Sequence, residues 1–382
     1  MSGLARTQRV SLLSLSDAEP ASGDSLSATQ QYCERVEVIR NPRAGGLAAK
    51  RGLQLASIAS NRSYERLMHE HADVQRALDS WLSREHFDVV QFEFPYMSGY
   101  RVRGYGSSRP LLCLDEHNIE YDMLRRVARS EAGLLRRAYC ALGWRKLRAE
   151  ERRSWRRMDG CVVTSPRDIA LLARDAPNAA RTIVPNGVDV DYFKRAPGAA
   201  SDPATLLFFG AMDYFPNTDA ALYFVREVLP IIAAARPDVR LRIVGRKPPA
   251  SVLALAGAQV EVTGLVDDVR AEITRASLVI APLRLGGGTR LKILEAMSMG
   301  AAVVSTSLGA EGLELGHERE ILVGDTPQAF AAATLRLLGA PELRDALGAR
   351  ARARVACDYS WADAVGRLAE FHARLLGRRA AR

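Results

Sequence analysis

Short runs of apolar and β-branched residues alternate along the chain with stretches whose apolar positions recur at helical spacing. In the first half the runs are VSLLSL (10–15), VEVI (36–39), DVVQFEF (88–94), LLCLD (111–115), CVVT (161–164) and TIVP (182–185). In the second half they are LLFFG (206–210), LRIVG (241–245), VEVTG (260–264), LVIAP (278–282) and AVVS (302–305). Runs this apolar, separated by helices, predict parallel strands buried on both faces. Several end in Gly, Pro or a polar residue, where an α/β sheet places its ligand loops. RAPGAASDPA (195–204) has the small residues and prolines of a linker. Two doubly wound α/β domains with a cleft between them follow, and 382 residues are enough for two cores. A final helix is predicted from the cap Ser360–Asp363, with Trp361, Val365, Leu368, Phe371, His372 and Leu375 at helical spacing.

Charge adds a direction. Lys and Arg number 53 against 44 Asp and Glu, a net charge of +9. That excess suits anionic partners, either a phosphorylated ligand, an acidic membrane surface or nucleic acid. The cysteines Cys33, Cys113, Cys140, Cys161 and Cys357 form no C-x-x-C pair, so neither a disulfide framework nor a zinc site is expected. No apolar run approaches the roughly 18–20 residues of a membrane span. The start, MSGLARTQRVSLLSLSD, has an apolar stretch too short for a signal peptide. A cytoplasmic protein is the expectation.

The densest chemistry lies in LGGGTRLKILEAMSM (285–299). Gly286, Gly287 and Gly288 let backbone N–H groups converge, and Thr289 is placed to cap the helix that follows. A helix starting there points its positive end and free N–H groups at the loop, which makes an anion site. Ile293, Leu294 and Met297 share one face; Lys292 and Glu295 lie on the other, about 60° apart. Arg290 in the first turn is unfavourable at a helix N-terminus unless something negative compensates it. A phosphate ligand would do so. A Gly-rich turn carrying a solvated Lys292–Glu295 pair would give the same pattern.

LLCLDEHNIEYD (111–122) sets His117 just past a strand end among Asp115, Glu116, Glu120 and Asp122. Such carboxylates favour a protonated or firmly oriented imidazole; a polar capping loop with an incidental histidine is the simpler alternative. A metal site from Asp115, Glu116 and His117 is the less favoured reading, because successive side chains diverge. HEH at 69–71 reads as a solvated helix segment. GLLRRAYCALGWRKLRAEERRSWRRMDG (133–160) carries nine Arg and Lys with leucines and aromatics interleaved. Either an Arg-rich outer face or a membrane-surface helix fits it, and no nucleic-acid recognition motif accompanies it.

VPNGVDVDYF (184–193), LLFFGAMDYFPNTDA (206–220), LRIVGRKPP (241–249), VEVTGLVDDV (260–269) and GGGTRLKILEAMSMGAAVVSTSLGAEGL (286–313) occur in that order. The series resembles the family 4 glycosyltransferases, retaining enzymes of the GT-B fold, and is most similar to bacterial members that build exopolysaccharide or other cell-surface glycans. The resemblance implies two Rossmann-like domains, 1–190 on the acceptor side and 191–359 for the nucleotide sugar, with 360–382 as a helix returning towards the first. It casts His117, beside the donor sugar, and Arg290 and Lys292, at the diphosphate, as the catalytic groups. Glu295 then binds the ribose hydroxyls, an ionised carboxylate suiting a vicinal diol. Thr289 approaches the diphosphate, and Gly245, Arg246, Leu265 and Val266 border the base. Gly210, Gly287 and Gly288 complete the donor lining. No cofactor and no metal are implied, since fixed N–H dipoles and Arg offset the charge on the departing diphosphate.

The expected activity is hexosyl transfer with retention to a cell-surface polysaccharide or lipid-linked glycan acceptor, with peripheral contact to the inner face of the membrane through 133–158 and no nucleic-acid partner. A nucleotide-sugar 2-epimerase and a non-catalytic GT-B-like assembly partner are the alternatives. Two departures from the family pattern stand out. Gly287 occupies the place of a second acid in many members, and Gly210, Ala211, Met212 and Asn217 stand where many carry an Arg and a Lys. Only nine residues precede VSLLSLSD, which implies an N-terminal sheet without its opening strand, or VSLLSLSD in that strand's role.

Overall fold

The computed structural model describes residues 2–17, 24–103, 109–130, 133–196, 198 and 201–381. The chain divides into two compact units, Met1–Val184 with Val365–Arg382, and Pro185–Ala364. The linker-like segment 195–204 falls in the second unit and includes 197, 199 and 200, which lie outside the described residues.

The second unit is built on one parallel six-stranded sheet, β7 (Thr205–Phe209), β8 (Arg240–Val244), β9 (Val260–Gly264), β10 (Leu278–Ala281), β11 (Ala302–Ser305) and β12 (Leu322–Val323). The strand order is β12-β11-β10-β7-β8-β9. Leu206 and Phe208 of β7 join one core cluster, while Leu207 and Phe209 join the other. Side chains alternate between the faces with period two, so a strand covered by helices on both sides must be apolar throughout. That is why LLFFG is continuous.

The first unit holds two separate parallel sheets. β3 (Val89–Glu93), β4 (Leu111–Glu116), β5 (Gly160–Val163) and β6 (Arg181–Ile183) form one in that order, and β1 (Ser11–Ser16) and β2 (Arg35–Arg40) form the other. The six runs of the first half therefore do not make a single sheet, and among the described residues no ladder joins β1–β2 to β3. VSLLSLSD pairs only with β2, Ser11 opposite Arg35. Its sequence shows why: β1 alternates polar and apolar residues and is half-buried throughout, unlike the fully buried β5.

The helix Trp361–Ala380 covers one face of the β3–β6 sheet. Its Leu368, Phe371 and Leu375 pack with Leu111, Cys113 and Val162. The fit is tight at Gly160, where a Cβ would lie 2.5 Å from Leu375 Cδ1 and 2.8 Å from the Phe371 ring. The other face receives Leu112, Leu114 and Trp155.

Candidate functional site

In the second unit the candidate site is assembled from the C-terminal ends of the strands. Gly286 and Gly288 take φ of +102° and +75°, backbone that L side chains rarely adopt. The helix Leu291–Ser298 starts one residue later than the sequence suggests, with Arg290 rather than Thr289 at its N-cap and no side-chain cap. Thr289 does not cap because its Oγ1 is buried without a hydrogen-bond partner. The Arg290 guanidinium instead folds back onto the loop, donating from Nη1 to the carbonyls of Gly287 and of Gly288, the latter at 3.0 Å. It is 8% exposed, so a cation is tucked under the glycine turn.

Lys292 and Glu295 are half-buried on the face opposite buried Ile293, Leu294 and Met297, as the periodicity predicts. Lys292 Nζ donates to Asn217 Oδ1 at 2.7 Å and lies 4.5 Å from the centre of the Phe208 ring. Burial pushes its ammonium down to about 7, the charge of Arg290 adds to the shift and Glu295 opposes it. The Glu295 carboxyl is raised by burial, against the pull of Lys292. Asn217 and Phe208 were not among the sequence candidates, although Asn217 lies in the segment where the family pattern places a cation.

Two glycines hold the neighbouring strand ends together. A Cβ on Gly245 would come within 1.7 Å of the Gly210 carbonyl oxygen, so β7 and β8 could not approach as they do with any larger residue. A Cβ on Gly210 would meet Lys292 Nζ at 2.8 Å. Gly210 donates to Val244 at 3.0 Å, and Gly245 to Gly264 at 2.8 Å. Gly210, Gly245, Lys292 and the glycine turn are thus drawn together. Arg246 reaches outward, 3.8 Å from Asp213, and Leu265 is 77% exposed. Val266 packs on the core below β9.

In the first unit, strand register sorts the acids around His117. Glu93 and Asp115 are paired across β3 and β4, and His117 Nε2 lies 2.8 Å from Glu93 Oε2. Burial works to lower the imidazole's pKa, but the Glu93 hydrogen bond and the charges of Asp115, Glu93 and Glu120 outweigh it and raise it. Asp115 is pushed up to about 7, first by burial and then by Glu93. Glu116 points the other way and accepts from Trp155 Nε1 at 2.6 Å in the core. Asp122 is also buried, bound by Arg125 and Arg126 as well as Arg167. Of the flanking acids, Asp115 and Glu120 therefore act on His117, and Glu93 was missed.

The one group of described residues able to converge on a cation is Glu93, Asp115 and His117, whose ligand atoms all lie within 4.8 Å of one another. His117 already spends Nε2 on Glu93, so the trio is built as a hydrogen-bonded cluster first. His69 and His71 are not solvated as expected. His69 stacks on Tyr96 at 4.2 Å, and His71 is buried, its amide donating to the Tyr100 hydroxyl.

The helix Leu134–Arg157 divides in two. Its C-terminal half is core, with Leu147 and Trp155 buried and Glu151 accepting the amides of Glu120 at 2.8 Å and Tyr121 at 3.2 Å. Its N-terminal half exposes Leu134 and Leu135. The basic surface is therefore shorter than 133–158.

Residues 203–340 match the family described as Glycosyl transferases group 1. Sucrose-phosphate synthase from Thermosynechococcus elongatus superposes with a TM-score of 0.68, at 16% identity, over 97% of this chain and 100% of that one. The chain has the GT-B fold, and within its second unit residues 203–340 are what matches that family. The HepE protein of Anabaena, solved with UDP and glucose, superposes at a TM-score of 0.64 and 14% identity over 95% of this chain and 99% of that one. Among curated proteins, the phosphatidyl-myo-inositol mannosyltransferase of Mycolicibacterium smegmatis is 34% identical over 188 residues, 47% of this chain and 48% of that protein. The D-inositol 3-phosphate glycosyltransferase of Kineococcus radiotolerans is 30% identical over 231 residues, 52% and 53% respectively. The matched stretches span about half the length of these curated relatives. The glycine turn, Lys292 and Glu295 all lie inside the matched stretch 203–340.

Proposed function

We propose that this chain transfers a hexosyl group from a nucleoside-diphosphate sugar to a cell-surface polysaccharide or lipid-linked glycan acceptor, with retention of configuration. The second unit holds the donor and the first the acceptor. One observation carries the reading: an almost fully buried Arg290 and a pKa-depressed Lys292 are gathered under a glycine turn at strand ends, with no carboxylate paired to Lys292 by a hydrogen bond. Cations held that way are stabilised by an anion arriving from outside, and a diphosphate supplies it. Glu295, one turn along the helix, accepts from the ribose diol.

Calorimetry with UDP and GDP tests the donor site. Glu295→Ala should weaken the preferred nucleotide by about tenfold, the worth of hydrogen bonds to a charged group. Unchanged affinity removes Glu295 from the site. NMR of the product anomer tests retention, and an inverted product refutes it. The two inositol-directed relatives make inositol-bearing acceptors, with and without a phosphate on the ring, the first to try.

The 2-epimerase alternative gains one support, because the Glu93–His117–Asp115 cluster is the acid–base equipment such chemistry needs. Epimerised donor in the absence of any acceptor would favour it.

The membrane reading narrows to one surface. Lys146 Nζ, midway along the helix Leu134–Arg157, donates to the carbonyl of Ser60 at the end of the helix Leu47–Ala59 at 2.7 Å. Leu47, Leu55, Ile58, Leu134 and Leu135 are each more than half exposed there. Lys50, Arg51, Arg136, Arg137 and Arg145 lie in the same segments, and 47–59 and 133–149 contain no Asp or Glu. Leucines among cations suit an anionic interface.

A further inference from the structure

The loop after β3 and the helix Tyr64–His69 bring a row of rings against His117 that the donor reading leaves unused. Phe94 takes φ of +71°, a strained conformation for a bulky side chain. Strain of this kind persists where the surroundings enforce it, and it gathers at functional sites. Its amide donates to the Asp115 carbonyl at 3.0 Å, which fixes the turn to β4. The result is a ladder of rings: His69 on Tyr96 at 4.2 Å, Tyr96 on Phe94 at 5.1 Å, and Phe94 against His117 at 4.3 Å. The ladder gives His117 an apolar wall.

Carboxyls gather at the same imidazole. Glu93 bonds His117, Asp115 stands beside it in register, and Glu120 opens the helix Glu120–Ser130. Glu65 lies on the same short helix as His69. Asp115 Oδ1 is buried with no hydrogen-bond partner. The charges acting on Asp115 are Glu93 and His117; those acting on Glu120 are Glu65 and His117. No arginine or lysine is among them. Burial and these neighbours push both Asp115 and Glu120 up to about 7. Three acids, Glu93, Asp115 and Glu120, thus act on one imidazole already matched to Glu93, and Glu65 acts on Glu120 and Tyr96 beside them.

We propose that Glu65, Glu93, Phe94, Tyr96, Asp115 and Glu120 form an acceptor subsite for an uncharged polyol ring and turn away a phosphorylated one. The proposal rests on the glycosyltransferase reading and specifies the acceptor class it takes. Ring C–H groups lie against the aromatic wall, and ring hydroxyls donate to the carboxyls. A phosphate brought to the same place meets Glu65, Asp115 and Glu120, with the one imidazole already taken by Glu93, which costs affinity. Any phosphate the acceptor carries must therefore lie away from the ring that receives the sugar.

The test is saturation-transfer NMR on the full chain, with myo-inositol and myo-inositol 1-phosphate as probes. At about pH 8 the neutral ring should bind at least about tenfold more tightly than the phosphate. The preference should narrow towards about pH 6 as Asp115 and Glu120 take up protons. The double variant Glu65→Gln, Glu120→Gln, close in shape to the original, should bring the two probes to within about threefold. Equal or tighter binding of the phosphate overturns the proposal, as does transfer to neither probe or a preference unmoved by pH. The wild-type pH series needs no variant to fold. UDP and GDP calorimetry on the same sample separates the outcomes: loss of ring selectivity with nucleotide bound sinks only the subsite, whereas no nucleotide binding sinks the transferase reading.

Discussion

Lys292 donates to Asn217 at 2.7 Å, and no carboxylate takes that place. The ammonium therefore has an amide oxygen and not a carboxylate as its hydrogen-bond partner. Its depressed pKa has a definite sign for stability. Between about 7 and the ordinary lysine value of 10.5 the unfolded chain binds the extra proton, so stability rises with pH across that window. Lys292→Met should raise stability by about 1 kcal/mol or more at pH 7, within the range found when buried charges are replaced by apolar groups. The gain should shrink as the pH approaches the unfolded lysine value. The same variant should bind nucleoside diphosphate about tenfold more weakly. Denaturant melts at three pH values decide the matter, and a variant less stable than wild type at pH 7 contradicts it.

The approach of β7 to β8 makes a second prediction. A methyl group on Gly245 collides with the backbone carbonyl of Gly210, whereas Gly257 has nothing within 4 Å. Gly245→Ala should cost about 3 kcal/mol, the upper range for overpacking. Gly257→Ala should stay within about 0.5 kcal/mol of wild type. Equal effects from the two would mean the strand ends yield freely, and the donor lining would lose its rigid frame.

Much of the second unit was legible because its rules are local. The 100° periodicity placed Lys292 and Glu295 opposite Ile293, Leu294 and Met297, and continuous apolar runs located the strands. What escaped was set by tertiary register. Glu93 lies 24 residues before His117, and only the β3–β4 pairing brings it near. Asn217 reaches Lys292 across 75 residues. The H-E-H triplet looked solvated because each residue is polar, yet Tyr96 stacks on His69 and the His71 ring meets the Met68 carbonyl in a buried position. Thr289 looked like a cap by residue type, but the chain turns one residue later, where Arg290 secures the glycine carbonyls.

The Glu93–His117 pair has its own pH signature. Burial acts to raise the Glu93 carboxyl, but hydrogen bonds from His117 and Gln91 hold it below its ordinary value. The imidazole is raised, so its contribution is fully present below the unfolded histidine value and is lost as pH rises through the folded one. Glu93→Gln should therefore lower stability by about 0.5–1 kcal/mol between about pH 5 and 6.5, a half-exposed pair being worth little more. Above the folded histidine value the difference should vanish. The His117 ring-proton titration should move to lower pH in the variant. A midpoint that stays in place would show that Glu93 does not hold the proton.

The last prediction concerns the surface shared by Leu47–Ala59 and the start of Leu134–Arg157. Leu134 is 80% and Leu135 90% exposed, beside Arg136 and Arg137. Apolar insertion and charge attraction are separable, because only the second is screened by salt. Leu134→Ser with Leu135→Ser should weaken binding to phosphatidylglycerol-containing vesicles by about tenfold at every salt concentration. Arg136→Glu with Arg137→Glu should remove mainly the salt-sensitive part, at about 1 kcal/mol for each cation lost. Neither pair touches the buried half of the helix, where Trp155 and Leu147 support the β4 core, so the melting temperature should hold. Vesicles of phosphatidylcholine alone should bind poorly in every case. If the serine pair sediments with anionic vesicles as wild type does, the exposed leucines belong to some other interface and the membrane reading fails.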